Sequence, residues 1–248
     1  MTLLRRLQDS LVEATRPSKQ STEAGGFLVM LTPEDPLLWI NYAVPVSAPF
    51  DVEAMVEIFL AADRTPRLEF FVDLWPEVLP LLEAAGFECD KRMPIMVLER
   101  SEWKGLEHEH DIRSVEASMF HEFNRVLGQA FGMEGSDEPN LSDPNDDPTY
   151  QRIAEGTTLA SLALVDGVVV GGGLGIGTRE IREIAGIGTR SDFRKQGIAS
   201  AVIADLLYRF FGLGGEVAWL TPGDDAAMSV YAKLGFRPIA EQVCCSKN

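Results

Sequence analysis

The sequence is short of cysteine and of basic residues, and each shortage argues against a class of protein. Its 248 residues include three cysteines, three histidines, and 22 lysines and arginines against 38 aspartates and glutamates. The net charge of −16 argues against nucleic acid or an anionic membrane as a partner. No Cys-x-x-Cys pair is present, so we predict no disulfide framework and no metal site. Cys244-Cys245 is interpreted as two small residues of a core strand in a reducing compartment.

An uninterrupted apolar run of membrane length is also missing. Residues 159–177 contain a single charge, Asp166, but Asp166-Gly167 is a hairpin turn signal in the middle of this run. A membrane span needs about 20 apolar residues without such a turn. Residues 1–14 form an amphipathic helical stripe broken by charges, which differs from a signal peptide. We therefore predict a cytoplasmic location.

The second half of the chain alternates apolar segments with turn signals, which predicts a mixed α/β sheet with helices on both faces. The predicted strands cover residues 111–116, 157–165, 168–176, 178–189, 217–221 and 236–244. The predicted helices cover residues 118–131, 149–155, 197–211 and 224–234. Residues 134–148 contain six acidic residues and three prolines, and we expect a long solvated loop there.

The segment Arg194-Lys195-Gln196-Gly197-Ile198-Ala199 leads from a predicted strand into a predicted helix. The first N–H groups of a helix have no intrahelical partner and carry partial positive charge, so a helix start binds phosphate well. Gly197 lets the backbone approach a ligand closely because it has no side chain. The alternative is an ordinary strand-to-helix turn with a solvated basic pair.

A second segment, Tyr231-Ala-Lys-Leu-Gly235-Phe236, places a tyrosine just ahead of a glycine that ends a helix. A tyrosine hydroxyl can give a proton to a leaving group. The alternative is a tyrosine that packs the end of the helix against the sheet.

Together these segments resemble the two signature motifs of the GNAT (GCN5-related) N-acetyltransferase superfamily. Those motifs are Arg/Gln-x-x-Gly-x-Gly/Ala and Asn-x-x-Ala-x-x-x-Tyr-x-x-x-Gly-Phe, and the resemblance is specific over residues 183–236. It implies an enzyme that moves an acetyl group from acetyl-CoA to an amine by direct attack within one ternary complex. The alternative is a non-catalytic protein that binds an acyl-CoA as a sensor or scaffold. The acceptor amine and the oligomeric state stay open.

The resemblance also implies roles for individual residues. Tyr231 would be the general acid. The amine also has to lose a proton, and Glu183, at the start of the predicted strand, is the nearest carboxylate that could act as general base, directly or through water, with Glu180 as a second candidate. The alternative for both glutamates is a solvated carboxylate at the end of a strand. Asp224 stands where the family usually has asparagine, and it would cap the helix that follows. The implied cofactor-binding residues are Ile187, Gly188 and Thr189 for the pantetheine arm, Arg194, Lys195, Gln196, Gly197, Ile198, Ala199 and Ser200 for the pyrophosphate, and Asp224.

The first half of the chain repeats part of this order. Residues 68–87 align with residues 217–236, so strand, helix and Gly-Phe occur twice at equal spacing. Leu82 takes the place of the tyrosine, and the prolines of residues 44–50 cannot donate N–H groups to a phosphate. We predict a degenerate GNAT-like domain over residues 1–105 and a catalytic domain over residues 110–248, resembling tandem members of the superfamily.

The three histidines receive no role in this prediction. His108 and His110 fall in the polar linker, residues 101–110, and without further ligands they are interpreted as an exposed polar patch. His121 is predicted to lie outside the acceptor pocket.

Overall fold

The computed structural model describes residues 1–133 and 142–247, which form seven α-helices and eleven β-strands. The helices are α1 (Leu3–Thr15), α2 (Val52–Ala61), α3 (Val78–Ala84), α4 (Ala117–Ala130), α5 (Pro148–Ala154), α6 (Ile198–Gly212) and α7 (Asp225–Lys233). The strands are β1 (Gln20–Ala24), β2 (Phe27–Leu31), β3 (Tyr42–Pro45), β4 (Arg67–Phe71), β5 (Glu88–Glu99), β6 (Asp111–Ser114), β7 (Leu159–Val165), β8 (Val168–Gly177), β9 (Ile181–Thr189), β10 (Val217–Leu220) and β11 (Arg237–Ser246).

The helices and strands predicted for residues 111–244 are all present, with ends displaced by a few residues. Asp166 and Gly167 both have positive φ, 50° and 79°, as a two-residue hairpin turn requires. Gly235, with φ of 99°, follows the end of α7 as predicted. Of the predicted loop, residues 134–141 lie outside the described residues, and a short 3₁₀ turn, Pro144–Asp146, leads into α5.

The chain divides into two compact units, and the first consists of residues 1–96, 221–223 and 238–248. Here β1, β2 and β3 are antiparallel neighbours, β3 and β4 are parallel, and β4 pairs with β11 in antiparallel register. Phenylalanines from β2, α2 and β4 form the centre of its core, namely Phe27, Phe59 and Phe70.

The second unit consists of residues 97–220 and 224–237. Strands β6 to β9 are antiparallel neighbours, and β9 and β10 are parallel. On one face α4 buries Phe120, Phe123 and Val126 against β7 and β8. Helix α6 contacts β7, β8 and β9 and is buried along most of its length. The predicted mixed α/β architecture is thereby confirmed.

The cysteines depart from the prediction, because Cys89 of β5 and Cys245 of β11 form a disulfide within the first unit. The expectation of no disulfide was wrong. The two residues are 156 positions apart, and only the sheet brings their Cα atoms to 4.0 Å. Cys244 is buried and takes no part in this disulfide. A disulfide is typical of oxidising compartments, so it lends no support to the expected reducing compartment.

None of the helices in the described parts of the chain is long and apolar enough to cross a bilayer. The apolar residues 159–177 form the hairpin of β7 and β8 instead, with Asp166-Gly167 at its turn.

The glycines of β8 let α4 pack directly on the strand. A Cβ atom at Gly172 would lie 2.5 Å from Cε2 of Phe123 and 2.9 Å from the carbonyl oxygen of Ser161. Both distances are far below van der Waals contact, and neither the buried ring nor the backbone has room to move. At Gly175, on the same strand, the nearest atom to such a Cβ would be 3.4 Å away, which is ordinary contact.

We therefore expect Gly172→Ala to destabilise the fold by about 1–3 kcal/mol, the usual cost of overpacking a core. Gly175→Ala is the matched control and should change the free energy of unfolding little. Urea denaturation of both variants and the wild type measures the difference. Equal midpoints for the two variants would contradict the packing argument.

Candidate active site

Strands β9 and β10 stay together for three residue pairs only. Residues 217–219 of β10 face residues 181–183 of β9, after which β10 ends at Leu220. Strand β9 continues to Thr189 and remains paired with β8 on its other side. In the described residues no strand pairs with residues 184–189 on the side that β10 leaves. Peptide groups of this segment that point to that side are therefore open to a ligand.

A β-bulge bends β9 within this open segment. Gly188 pairs with Gly172 and Ala185 with Leu174, so β9 has one residue more than β8 in this interval. Gly186 takes up the extra residue with φ of 61°, a conformation that suits glycine. Bulges are common beside active sites, where they redirect the backbone.

The three residues predicted to line the pantetheine arm follow this bulge. Ile187 packs against Gly173 of β8, and Gly188 lies beneath Leu127 and Ala130 of α4. The side chain of Ile187 and the Cβ position of Gly188 therefore face other parts of the protein, and a ligand can contact mainly the backbone of these residues. Thr189 differs, because its buried Oγ1 has no hydrogen-bond partner in the described residues.

The predicted phosphate-binding turn adopts an irregular backbone that exposes its donors. Lys195 and Gly197 both have positive φ, 63° and 85°, and Gly197 is the N-cap of α6. In the part of the chain that the structure describes, none of the N–H groups of residues 195–200 donates a hydrogen bond. Buried Ile198 anchors the turn to the core, whereas residues 194–197 are exposed. Successive free N–H groups at a helix start are an anion-binding arrangement. We call residues 195–200 the cradle.

The side chain of Arg194 points to backbone carbonyl groups. Its Nε donates to the carbonyl oxygen of Thr189 at 3.1 Å, and a terminal nitrogen donates to that of Ala130 at 3.3 Å. Arg194 therefore ties the end of β9 to the C-terminal end of α4, where a cation is favourable. The amide of Gln196 lies 3.5 Å from the carbonyl oxygen of Asp192.

Helix α7 carries the second motif. Asp224 caps it as predicted, accepting a hydrogen bond from the N–H of Ala227 at 2.7 Å. Tyr231 is half-buried, and its ring lies 6.3 Å from that of Phe236. Its hydroxyl makes no hydrogen bond among the described residues. Burial raises the pKa of Tyr231, and the negative charge of Asp224 raises it further.

Glu183 lies where the two parallel strands separate, since it is the last β9 residue paired with β10. It is half-buried. Glu180, the second candidate base, is exposed, and its carbonyl oxygen accepts hydrogen bonds from Glu216 and Val217 at 2.8 and 3.1 Å. Glu183 thus lies at the base of the open segment, and Glu180 lies outside it.

Sequence reasoning missed one residue beside the cradle. Nε2 of His110 lies 3.3 Å from the position of a Cβ atom at Gly197, and apart from residues 196–198 no other atom of the described residues comes within 4 Å of that position. No local pattern could have revealed this approach, because the two residues are far apart in sequence. His121, by contrast, contacts the carbonyl oxygen of Ser142 at 2.8 Å.

A polar cavity of about 380 Å³ lies beside the turn that precedes the cradle. It is lined by Gln129, Arg190, Ser191, Asp192 and Arg194. In the described residues no group of three or more His, Cys, Asp and Glu side chains is placed to hold a metal ion.

Residues 118–236 match the model of the acetyltransferase (GNAT) family. This segment, a little under half of the chain, is similar to that family and contains the open segment of β9, the cradle and Tyr231. No curated protein matches the sequence.

Solved structures resemble the chain over most or all of its length. A GCN5-related N-acetyltransferase from Kribbella flavida is 25% identical with a TM-score of 0.80, and the match covers 100% of this chain and 96% of that one. A GCN5-related N-acetyltransferase from Sphaerobacter thermophilus is 14% identical with a TM-score of 0.64, covering 98% and 90%. A tandem GNAT protein from the clavulanic acid biosynthesis pathway is 13% identical with a TM-score of 0.58, covering 89% and 78%. At these lower identities the last two show the fold alone.

The raised pKa of Tyr231 predicts how this residue titrates. Its phenol should lose its proton above the ordinary value of about 10. The folded state holds this proton more tightly than the unfolded chain, so the linked stability is present below about pH 10 and is lost as pH rises through the folded pKa. The difference in ultraviolet absorbance between the wild type and Tyr231→Phe during a pH titration isolates this group. A midpoint at or below 10 would contradict the prediction.

Proposed function

We propose that the chain is an acetyl-CoA-dependent N-acetyltransferase with one active site, in residues 110–248. The observation that carries this proposal is unpaired backbone in two segments that follow one another in the sequence. The first is residues 184–189, which no described strand pairs on the side that β10 leaves. The second is the cradle, whose six N–H groups donate no hydrogen bond in the described residues. An extended ligand with an amide-containing arm and a pyrophosphate at its far end fits this sequence of groups.

The residues present fit acetyl-CoA as the co-substrate. The backbone of Ile187, Gly188 and Thr189 would bind the pantetheine arm. The cradle would bind the pyrophosphate, with Lys195 adding positive charge. Arg194 would act indirectly in this scheme. Its guanidinium donates hydrogen bonds to the carbonyl oxygens of Thr189 and Ala130, and so holds the segment that leads into the cradle against α4. Asp224 is engaged as the helix cap.

The proposed reaction is a direct attack of the amine on the thioester carbonyl carbon. The C–N bond forms, the C–S bond breaks, and no covalent intermediate with the protein is needed, so orientation supplies much of the rate. A backbone N–H of the open segment would polarise the carbonyl oxygen. Tyr231 would give its proton to the departing thiolate, and Glu183 would take a proton from the amine, directly or through water.

The raised pKa of Tyr231 is compatible with this role. A phenol with a pKa of about 10 and a thiol with a pKa of about 8.5 differ by little, so proton transfer between them is feasible. Burial that raises the pKa of Tyr231 would also raise that of a thiolate leaving in the same environment, because both are anions when deprotonated. The hydroxyl therefore stays protonated before the reaction without losing its ability to donate.

We further propose that the first half is a degenerate copy of the same domain. In the first unit the order β1-β2-β3-α2-β4 repeats the order β7-β8-β9-α6-β10, with antiparallel pairs followed by a parallel one. Strands β3 and β4 also separate early, since only Ala43 and Leu68 are paired.

Side chains of the first unit contact the backbone at the end of β3, where β3 and β4 have separated. Nε2 of Gln8 donates to the carbonyl oxygen of Pro45 at 2.8 Å, and Arg5 donates to that of Val46 at 3.4 Å. The Trp75 ring packs edge-on against Phe50 at 5.6 Å and donates its N–H to Gln8. These contacts support a copy that binds no acetyl-CoA. The division into residues 1–105 and 110–248, the cytoplasmic location and the absence of a nucleic-acid or membrane partner stay predictions.

A non-catalytic acyl-CoA-binding protein is the alternative function. Such a protein needs the open segment and the cradle, and it has no use for a proton donor. The hydroxyl of Tyr231, which has no hydrogen-bond partner among the described residues, favours the enzyme. Release of CoA thiol from acetyl-CoA in the presence of a library of amines distinguishes the two functions.

The cradle can be tested by a pair of alanine substitutions. Gly197 and Gly214 both have positive φ, 85° and 94°, so alanine causes similar backbone strain at either position. Gly197→Ala should weaken acetyl-CoA binding at least about tenfold, or 1.4 kcal/mol, because it pushes the cradle's donors out of position. Gly214→Ala lies at the other end of α6, where a Cβ meets nothing within 4 Å, and it should bind like the wild type. Calorimetry measures both affinities, and equal values would overturn the phosphate assignment.

Tyr231→Phe tests the general acid, since it keeps the ring and removes only the hydroxyl. Turnover with an amine that supports thiol release should fall by about 10²–10⁴, the usual contribution of general acid–base catalysis. Acetyl-CoA affinity should change little, so kcat and kcat/KM should fall together. Turnover at the wild-type rate would mean that water protonates the thiolate and that Tyr231 is structural.

A further inference from the structure

His110 comes next to the cradle from a different part of the chain. It directly precedes β6, whose first residue, Asp111, is paired with Leu164 of β7. The backbone at this position is therefore held by the edge of the sheet. The imidazole is half-buried, and its Nε2 approaches Gly197, the N-cap of α6, closely.

The cradle has little other side-chain charge directed at it. The guanidinium of Arg194 donates its hydrogen bonds to the carbonyl oxygens of Thr189 and Ala130. Gln196 contacts the carbonyl oxygen of Asp192. Lys195 is exposed, and holding its flexible chain on a ligand would cost conformational entropy. His110 is the donor that the fold already holds beside the N-cap glycine.

We propose that His110 is a phosphate-binding residue of the cradle and contacts the pyrophosphate of CoA. This inference rests on the proposed function, because it assigns one more residue to the same ligand. An imidazole N–H donated to a phosphate oxygen forms a charge-assisted hydrogen bond, which is stronger than one between neutral groups. The predicted linker thus supplies part of the site, and the N-cap has to be glycine in order to leave room for both the ligand and the ring.

His108 offers a matched control. Its ring centre lies 6.1 Å from that of His110, and it is exposed. It has the same chemistry and nearly the same place in the sequence, and none of its atoms comes within 4 Å of the Cβ position at Gly197. An effect of general charge near the cradle would be similar for the two histidines, whereas a direct contact belongs to His110 alone.

The test is calorimetric titration of the full chain with acetyl-CoA and with dephospho-CoA. His110→Ala should bind acetyl-CoA about tenfold more weakly than the wild type, and His110→Gln, which keeps a side-chain donor, should lose less. His108→Ala should bind like the wild type. Dephospho-CoA keeps the pyrophosphate and lacks the 3′-phosphate. The ratio of the dissociation constants of His110→Ala and the wild type should therefore be the same for both ligands.

Three results would overturn the assignment. They are unchanged affinity in both folded His110 variants, an equal loss in His108→Ala, and a loss seen with acetyl-CoA that disappears with dephospho-CoA. Should His110→Ala fail to fold, the comparison of His110→Gln with the wild type decides the question. Wild-type protein that binds neither ligand would overturn the proposed function itself. Failure of the proposed function is thus distinguishable from failure of the His110 assignment.

Discussion

The early separation of β9 and β10 is the feature on which the candidate site depends. Three residue pairs hold the parallel strands together, and beyond Glu183 no strand of the described chain lies beside this edge of β9. Unpaired backbone groups are costly when they are shut away from water without partners. An edge of this kind therefore needs solvent, the chain's own side chains or a ligand. The bulge at Gly186 lies in this edge and the cradle follows it in the sequence, so the candidate site consists of backbone groups rather than a collection of side chains.

The first unit meets the same constraint in a different way. Strands β3 and β4 share a single pair, Ala43 and Leu68, and Pro45 and Val46 lie just beyond it. Gln8 and Arg5 of α1 donate hydrogen bonds to the carbonyl oxygens of these two residues. One separation of strands is thus satisfied from within, whereas the other keeps its donors unpartnered in the described residues. This contrast gives a physical meaning to the proposal that only the second half binds acetyl-CoA.

Local features of the site could be predicted from the sequence, and features that depend on distant pairing could not. The cradle and the tyrosine of α7 lie in short segments whose glycines and apolar spacing decide the backbone. The disulfide between Cys89 and Cys245 depends on which strands share a sheet. The approach of His110 to Gly197 depends on where the edge strand β6 begins. Arg194 was predicted as a phosphate ligand from its charge, but the carbonyl oxygens within its reach are visible only in three dimensions.

The glycines of β8 connect packing with binding. Because Gly172 and Gly173 have no side chains, Phe123 of α4 and Ile187 of β9 pack directly on the strand. That contact fixes the backbone of β9 just beyond the bulge, where the pantetheine arm is proposed to lie. Ligand binding to donors that are already in place costs little ordering of the protein. A backbone site built in this way gains its affinity from rigidity, and the same rigidity would hold a thioester in one orientation for attack.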